Sequence, residues 1–281
     1  MPLYQMYPSA RGRMRRARKT ACRRDRPEPP RQLCADLGGT EEGAGMEEKT
    51  ERGMNGHPDH AVIVAGGFCD TEAIGADPGM KALFGSAFVI AADSGLTAAE
   101  RMGLEPDLIV GDFDSYTGEL PEGPGAPEIV RVPAEKDVTD TVLACEIAME
   151  RGYRRLTILG GTGGRADHSL SNILYLYALK NKGIDASLTD GRNEFRVLRD
   201  ETVRIPKSDS AEGGEWYFSL FALGFAAGER CAVRALGCKY PLPNPTPLDW
   251  SNPSYAVSNE VTADCAVVSA EGTVLLVRSR K

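Results

Sequence analysis

Residues 107–115 read DLIVGDFDS, an apolar run that ends at a glycine and is followed at once by two acids, Asp112 and Asp114. A short apolar run closed by glycine is typical of a buried strand. Carboxylates this close together repel one another unless a cation lies between them. The stretch predicts a buried strand that delivers acidic side chains to a metal ion, although Asp and Ser also suit a plain turn that caps a helix.

Similar apolar runs flank this stretch, and helical patterns separate them. Strands are predicted near residues 61–67, 87–95, 128–132 and 155–164, with one or two more over 185–198, and helices near 94–103, 138–152 and 167–181. Strands that alternate with helices indicate a parallel sheet with helices on both faces. We therefore predict an α/β domain over residues 59–197.

The sequence changes in character after about residue 198. Short β-rich runs such as EWYFSLFAL, CAVRAL and CAVVSA are separated by Gly, Pro and Asn turns, and no long helical pattern occurs. Such spacing is typical of a small all-β sandwich or barrel. We predict a β-sandwich domain over residues 198–281.

The first 58 residues differ from all the others in composition. Residues 11–31 are rich in Arg and Pro, and a Gly- and Glu-rich stretch follows them. Too few apolar side chains are present to offset the entropy of ordering, so residues 1–58 are predicted to be disordered. An Arg-rich start suits an organelle transit peptide or a nucleic-acid-binding tail. We favour a third interpretation, in which Met46 or Met54 is the true start.

Composition narrows the class of protein. The net charge is −7 although residues 1–34 carry ten Arg and Lys against two acids, so the remainder is strongly acidic. That acidity disfavours nucleic acid as a partner of the folded part, but not a nucleotide that carries magnesium. No apolar run reaches about 18 residues, so no membrane span is predicted. Seven scattered cysteines without a Cys-x-x-Cys pair predict reduced thiols and a cytoplasmic protein.

Five predicted strand ends carry glycines, acids or basic side chains. They are Gly66–Gly67, ADSG (92–95), GDFDS (111–115), Lys136–Asp137 and GGTGGRADH (160–168). In an open parallel sheet, ligands bind beyond the carboxyl ends of the strands. Acids at such ends supply the oxygen ligands that Mg²⁺ prefers. Asp137 and Asp140, taken alone, also suit the N-cap and first turn of a helix.

The segment GGTGGRADHSLSN (160–172) is a glycine-rich entry to a helix. It is neither a P-loop nor a dinucleotide fingerprint, because the Lys-Ser/Thr pair is missing and Ala166 replaces the third glycine. Its glycines let the backbone approach a phosphate, the helix start favours anions, and Arg165 suits phosphate oxygens. Adjacent residues on one helical turn cannot form a catalytic triad, so His168 is expected to be a hydrogen-bonding residue at the helix start.

Taken in order, these segments resemble the thiamine pyrophosphokinase family. The matching stretches are ADSG, DLIVGDFDS, EKDVTD, GGTGGRADHSLSN, SLFAL, GCKYPL and VSNE, over roughly residues 61–279. The resemblance implies an α/β nucleotide-binding domain followed by a β-sandwich, in a homodimer whose active site lies at the interface. It also implies direct, Mg²⁺-assisted transfer of a pyrophosphoryl group from ATP to thiamine, which gives AMP and thiamine diphosphate.

The resemblance further implies roles for individual residues. The catalytic acids would be Asp93, Asp112, Asp114, Asp137 and Asp140, and the last four would be the magnesium ligands. The nucleotide-binding residues would be Lys136, Gly161, Thr162, Gly163, Gly164, Arg165, Asp167 and His168. Ser258 and Asn259 would face the thiamine ring from the β domain.

Three positions depart from the family's pattern: Val142 where Glu is frequent, Cys238 where Leu is common, and Ala222 where Pro is usual. None of them removes a predicted metal ligand, so activity is expected. Two other functions remain open. The strand-Asp-x-Asp pattern also suits a phosphatase of the haloacid dehalogenase type, although Tyr116 stands where Thr or Val belongs. The other is a thiamine or nucleotide sensor without turnover.

Overall fold

The computed structural model describes residues 59–113, 116, 118–133, 135, 137–207, 216–224 and 228–281. The predictions for residues 1–58, Asp114 and Lys136 lie outside these residues. Within them the chain forms five helices and two β-sheets. None of these helices combines the length and the apolar character that a membrane crossing requires.

A mixed sheet of ten strands forms the centre of the described structure. Its strands are β1 (His60–Val64), β2 (Phe88–Ala92), β3 (Leu108–Gly111), β4 (Glu128–Arg131), β5 (Arg155–Leu159), β6 (Asp185–Thr189), β7 (Asn193–Arg199), β9 (Trp216–Ala222), β12 (Asn259–Glu260) and β14 (Thr273–Arg280). The strand order is β12-β9-β14-β7-β6-β5-β1-β2-β3-β4. Strands β1 to β6 are parallel to one another, and β7, β14, β9 and β12 extend the sheet with antiparallel pairing.

Helices cover both faces of the parallel part, as predicted. They are α1 (Thr71–Ala76), α2 (Pro78–Phe84), α3 (Gly95–Arg101), α4 (Asp140–Glu150) and α5 (Ala166–Asn181). Neighbouring residues of β1 point to opposite faces of the sheet. Ile63 packs in an apolar cluster with residues of α4 and α5, whereas Val62 packs in another with residues of α1 and α3. With helices on both sides, every residue of β1 is buried, which explains its continuous apolar run.

A second, antiparallel sheet follows. Its strands are β8 (Thr202–Pro206), β10 (Ala232–Leu236), β11 (Leu242–Pro247) and β13 (Cys265–Glu271), in the order β11-β10-β13-β8. Val233 and Val268 of this sheet share one apolar cluster with Phe218 and Leu276 of the ten-stranded sheet.

The predicted order, a helix-covered sheet and then an antiparallel β region, is thus confirmed. The large sheet is mixed rather than parallel, because β7 pairs antiparallel with β6 and three strands from beyond residue 198 then extend the sheet. The domain boundary at residue 198 stays a prediction.

Candidate active site

Asp93 and Asp112 follow β2 and β3, two neighbouring parallel strands. The strands pair Ala92 with Val110, and the Asp93 N–H donates to the Val110 carbonyl at 2.8 Å. A Cβ atom at Gly111 would lie only 3.0 Å from the Asp93 Cα. Glycine at this position therefore lets the two acid-bearing loops lie in contact.

Left-handed backbone conformations concentrate in the predicted site segments. Asp93 (φ 48°), Phe113 (φ 63°) and Ser258 (φ 57°) adopt them, and Asp200 is the fourth non-glycine residue to do so in the described part of the chain. Each such residue costs roughly 1–3 kcal/mol and persists only where its surroundings hold it. Strain at three predicted site segments supports a functional role for these loops.

Phe113 accounts for the apolar residue between the two acids of GDFDS. Its ring packs against the cluster that contains Leu96 and Ile109. The Arg131 guanidinium lies 5.1 Å from the ring centroid. The loop is thereby tied to the sheet while Asp112 stays partly exposed. The sequence alone predicts no role for Phe113.

The acids before α4 do not cap that helix in the predicted way. Thr139 is the N-cap, and its hydroxyl accepts from the Val142 N–H at 3.3 Å. The interpretation in which Asp137 is the cap is therefore wrong, whereas Asp140 does lie in the first turn. Asp137 is exposed, and Asp140 is partly exposed although its Oδ1 is buried. The Asp137 carboxylate is therefore the more accessible of the two to a ligand.

These side chains form a donor set made of oxygen atoms alone. Among the residues that the structure describes, no three His, Cys, Asp or Glu side chains are grouped closely enough to hold a metal ion. The predicted ligand Asp114 lies outside those residues. Carboxylates that remain partly exposed fit Mg²⁺, which takes carboxylate oxygens and keeps several waters. The metal set of four acids stays a prediction.

The glycine-rich loop after β5 lies directly against the loop after β1. The Gly67 N–H donates to the Gly160 carbonyl at 2.8 Å, and the Phe68 N–H donates to the Thr162 carbonyl at 2.7 Å. A Cβ atom at Gly67 would lie 2.4 Å from each of these two oxygens. Only glycine at position 67 permits this approach of the two backbones.

The loop then turns outward into α5. Gly161 is buried and its carbonyl accepts from the Asn172 side chain at 2.8 Å, whereas Gly163 and Gly164 are exposed. Arg165 precedes α5, a helix of 16 residues that has no side-chain hydrogen bond at its N-cap. An uncapped helix start beside exposed glycines suits an anion. Asn172 received no role from the sequence, although it closes the motif.

Arg165 is engaged with Asp167 in an exposed ion pair. Its Nε donates to Asp167 Oδ1 at 3.1 Å, and the His168 N–H donates to the same oxygen at 3.0 Å. The hydrogen bond from Arg165 lowers the pKa of Asp167, and that bond raises the pKa of Arg165. A phosphate at this loop would compete with Asp167 for the guanidinium. His168 is exposed at the helix start.

The two residues predicted to face thiamine differ in exposure. Ser258 is exposed, whereas Asn259 is only 6% exposed. The Asn259 amide is used within the chain: it bonds the backbone N–H and carbonyl of Tyr240, at 3.0 and 2.8 Å, and the Cys238 sulfur at 3.4 Å. The Tyr240 side chain is 60% exposed. The GCKYPL stretch is part of the family resemblance, but the sequence predicts no function for Tyr240.

The predicted thiamine residues and the predicted acids lie far apart within one chain. Asn259 begins β12, the edge strand, and Asp93 follows β2, seven strand positions along the same sheet. Neighbouring strands are about 4.8 Å apart, so the separation is roughly 30 Å. A single chain does not bring the two sets together.

Comparison with known proteins identifies relatives. The family model "Thiamin pyrophosphokinase, catalytic domain" matches residues 80–188, a range that holds Asp93, Asp112 and the glycine-rich loop but not Ser258. The thiamine pyrophosphokinase of Bacillus subtilis (strain 168) is 32% identical over 193 residues, which are 68% of this chain and 86% of that relative.

Solved structures resemble the fold. The crystal structure of thiamine pyrophosphokinase from Bacillus subtilis superposes with a TM-score of 0.63 and 26% identity, covering 79% of this chain and 99% of that one. The thiamin pyrophosphokinase from Geobacillus thermodenitrificans has a TM-score of 0.61 and covers 79% of this chain and 98% of that one. At 24% identity, the second likeness is one of fold alone.

Proposed function

The chain belongs to the thiamine pyrophosphokinase family, and on that premise we propose that it transfers a pyrophosphoryl group from ATP to thiamine, releasing AMP and thiamine diphosphate. One observation carries the proposal for this molecule. The acid-bearing loops after β2 and β3 and the glycine-rich loop after β5 lie at the carboxyl edge of the parallel part of one sheet, where open α/β sheets bind ligands.

ATP would lie along this edge, so the parallel half of the sheet would be a nucleotide-binding domain. The Gly161–Gly164 backbone, the start of α5 and the Arg165 guanidinium offer donors to its phosphates. Lys136, Asp167 and His168 complete the proposed nucleotide set. Phosphoryl transfer depends on positioning and charge neutralisation more than on covalent help from the protein.

The carboxylates would serve the transfer itself. Asp112, Asp114, Asp137 and Asp140 would hold Mg²⁺, which when bound neutralises charge on the phosphate oxygens. The thiamine hydroxyl oxygen forms a bond to the β-phosphorus while the bond from that phosphorus to the α–β bridging oxygen breaks, and AMP leaves with that oxygen. The hydroxyl proton would pass to whichever of Asp93, Asp114 and Asp140 is not bound to Mg²⁺.

Thiamine would be held by Ser258 and by the exposed ring of Tyr240, with Asn259 holding the backbone of Tyr240. Because this surface lies roughly 30 Å from Asp93 in one chain, a second copy would have to supply it. We therefore propose a homodimer with the active site at the interface. Within each chain, the four-stranded sheet would pack on β9 and β14 as a β-sandwich.

The proposed location is the cytoplasm, with no nucleic-acid partner for the folded part. Five cysteines of the described residues are free thiols, which suits a reducing compartment.

A product assay tests the proposal. The purified chain is incubated with Mg²⁺, ATP and thiamine, beside Asp112→Asn and a matched Asp77→Asn control. Asp77 caps α2 by accepting from the Met80 N–H at 2.9 Å, and Asn caps equally well. Equal amounts of AMP and thiamine diphosphate, lost in Asp112→Asn and kept in Asp77→Asn, are the expected result.

Other products would point to the competing functions. ADP with thiamine monophosphate would mean attack at the γ-phosphorus. Free phosphate without a thiamine ester would favour the phosphatase of the haloacid dehalogenase type. Binding of ATP without any product would favour a sensor.

A further inference from the structure

Two buried polar side chains join the glycine-rich loop to the end of β6. Thr162, in the middle of that loop, is 7% exposed, and Asp190, just after β6, is 5% exposed. The Thr162 hydroxyl donates to Asp190 Oδ2 at 2.7 Å. These residues are 28 positions apart in the chain. From the sequence alone, Asp190 falls in a strand-forming stretch and has no predicted role.

The Asp190 carboxylate is an acceptor with several donors. Besides Thr162, its oxygens accept from the backbone N–H groups of Arg192 at 2.8 Å and Asn193 at 2.6 Å, and from Asn193 Nδ2 at 3.0 Å. Burial alone would raise the pKa of Asp190, but the bonds from Asn193, Thr162 and the backbone outweigh it and lower that pKa. The carboxylate is therefore ionised and held in place, so it fixes the position of the Thr162 hydroxyl that donates to it.

The same residue also holds the loop after β1. The Asp190 carbonyl accepts from the Asp70 N–H at 2.8 Å. Arg192 strengthens this link, since its Nε donates to Asp70 Oδ2 at 3.0 Å and its guanidinium lies 5.3 Å from the Phe68 ring centroid. Phe68 in turn bonds the Thr162 carbonyl at 2.7 Å. Thr162 is thus held on its side chain by one loop and on its main chain by another.

We propose that Asp190 is a positioning residue for ATP, which through Thr162 holds the glycine-rich loop in the conformation that receives the phosphates. This inference rests on the proposed function, because it concerns the ATP site of that reaction. Asp190 itself touches no substrate. Its effect is to keep Gly163 and Gly164 exposed beside the start of α5.

The proposal has a specific kinetic consequence. If this hydrogen bond is removed, the loop spends part of its time in other conformations, and the apparent affinity for ATP is multiplied by the fraction of chains whose loop remains competent. A hydrogen bond to a charged group is strong enough for a fall between about tenfold and about 100-fold. At saturating ATP, nearly all chains are bound with the loop in its competent conformation, so kcat changes little. Thiamine binds to a different surface, so its KM should not change.

The experiment compares four single variants of the full chain and one double variant, Thr162→Val with Asp190→Asn. Thr162→Val keeps the shape and removes the hydroxyl, Thr162→Ser keeps a hydroxyl, and Asp190→Asn removes the charge. Thr202→Val is the matched control, because the Thr202 hydroxyl bonds Ser269 at 2.8 Å on the exposed surface of the other sheet. Steady-state KM values for ATP and thiamine, kcat, and ATP binding by calorimetry are measured, with Tm as the check on folding.

We expect Thr162→Val and Asp190→Asn each to raise the KM and Kd for ATP at least tenfold, with the thiamine KM unchanged. Thr162→Ser should recover most of the lost affinity, and combining Thr162→Val with Asp190→Asn should add little, because both remove one tie. A lower Tm with an unchanged KM for ATP would indicate a merely structural role and overturn the inference. Equal effects on both substrates, or in Thr202→Val, would also overturn it.

The outcome is separable from that of the proposed function. A wild-type chain that binds ATP but makes no thiamine diphosphate would contradict the proposed reaction. The ATP-binding constants of the variants would still decide the role of Asp190. A wild-type chain that binds no ATP would overturn both.

Discussion

The side chain of Asn259 holds both backbone polar groups of Tyr240. Its Oδ1 accepts from the Tyr240 N–H at 3.0 Å, and its Nδ2 donates to the Tyr240 carbonyl at 2.8 Å. Lys239 Nζ lies 5.7 Å from the ring centroid of Tyr240, which remains largely exposed. A buried amide thus fixes the backbone beneath an exposed ring, an arrangement suited to stacking on a planar ligand.

Replacing Tyr240 with Ala should raise the KM for thiamine by about two- to tenfold, because aromatic stacking contributes about 0.5–1.5 kcal/mol beyond simple burial. The KM for ATP should not change. Tyr255→Ala is the control. This tyrosine is similarly exposed at 56%, but within the described residues it makes no hydrogen bond to Asn259. Kinetics at saturating ATP make the measurement. An unchanged thiamine KM in Tyr240→Ala would remove the ring from the site.

Gly67→Ala should abolish activity and destabilise the fold, because its Cβ would lie 2.4 Å from the carbonyl oxygens of Gly160 and Thr162. Backbone oxygens cannot move aside without breaking the contact between the two loops. The matched change is Gly75→Ala in α1, where a Cβ meets nothing within 4 Å. That variant should be up to about 1 kcal/mol more stable than wild type, since Ala favours a helix. Urea denaturation with a product assay would reveal any Gly67→Ala protein that is stable and active.

Glu201 should contribute to acid-dependent stability. Lys180 Nζ donates to Glu201 Oε1 at 2.6 Å, with the two side chains only 19% and 28% exposed. Burial alone would raise the pKa of Glu201, but the bonds from Lys180 and the Arg199 N–H lower it below its ordinary value of 4.5. The stabilisation is therefore present above that ordinary value and is lost as the pH falls through the lowered pKa.

Glu201→Gln should cost about 1–3 kcal/mol at neutral pH and reduce the loss of stability on acidification. Glu128→Gln is the control, since Glu128 also pairs with its partner, Arg151, at 2.6 Å but is more exposed, at 42%. Its cost should be below about 1 kcal/mol. Urea unfolding between about pH 3 and about pH 7 would test both. Equal costs in the two variants would mean that burial does not distinguish these pairs.

Cys145 should resist alkylation in the native protein. It is fully buried in α4, and burial raises the pKa of its thiol to about 12. Burial, with the nearby Asp190 and Asp70, raises the pKa of Cys69 to about 11, so that half-buried thiol should react slowly. Iodoacetamide near pH 8 attacks only thiolate, and peptide mass mapping before and after denaturation gives the result. Rapid labelling of native Cys145 would show that α4 opens readily.

Sequence patterns predicted α3, α4 and α5 and missed α1 and α2. The helices predicted near 94–103, 138–152 and 167–181 correspond to α3, α4 and α5. Helices α1 and α2 have six and seven residues and contain Gly75 and Pro78, which are poor helix formers. Their starts are instead held by Asp70 and Asp77, whose side chains accept backbone N–H groups.

The strand pairing depended on contacts that no local pattern reveals. Strand β11 reads LPNPTP, and three prolines argue against a strand. It forms because it is the edge strand of the small sheet and pairs only with β10. The extension of the parallel sheet by β7, β14 and β9 likewise depends on pairing between distant segments, such as Leu275 with Val197 and Phe221.

The site residues that could be predicted are those that come directly after the parallel strands. Asp93 and Asp112 lie where the rule for parallel sheets places them, because that rule needs only the strands and their direction. Thr162 was found through the glycines around it. Asn172, Asp190 and Tyr240 were not, because their roles come from hydrogen bonds to segments far along the chain.

The position of β14 imposes an order on folding. Of all the strands in the ten-stranded sheet, β14 comes last in the sequence, yet it lies between β7 and β9. It pairs seven residues with each of them, from Thr273 to Ser279 and from Val274 to Arg280. During synthesis, β9 and β12 therefore have no place in that sheet until β14 has emerged, and β7 presents an open strand edge to other molecules.

The unpaired N–H and C=O groups of such an edge can pair with a strand of a neighbouring nascent chain. The parallel half of the sheet, with its ATP-facing loops, can form before this point. The half that carries Asn259 cannot. Ribosome-bound chains that stop before residue 273 should therefore be prone to aggregation, and release of β14 is the step that protects them.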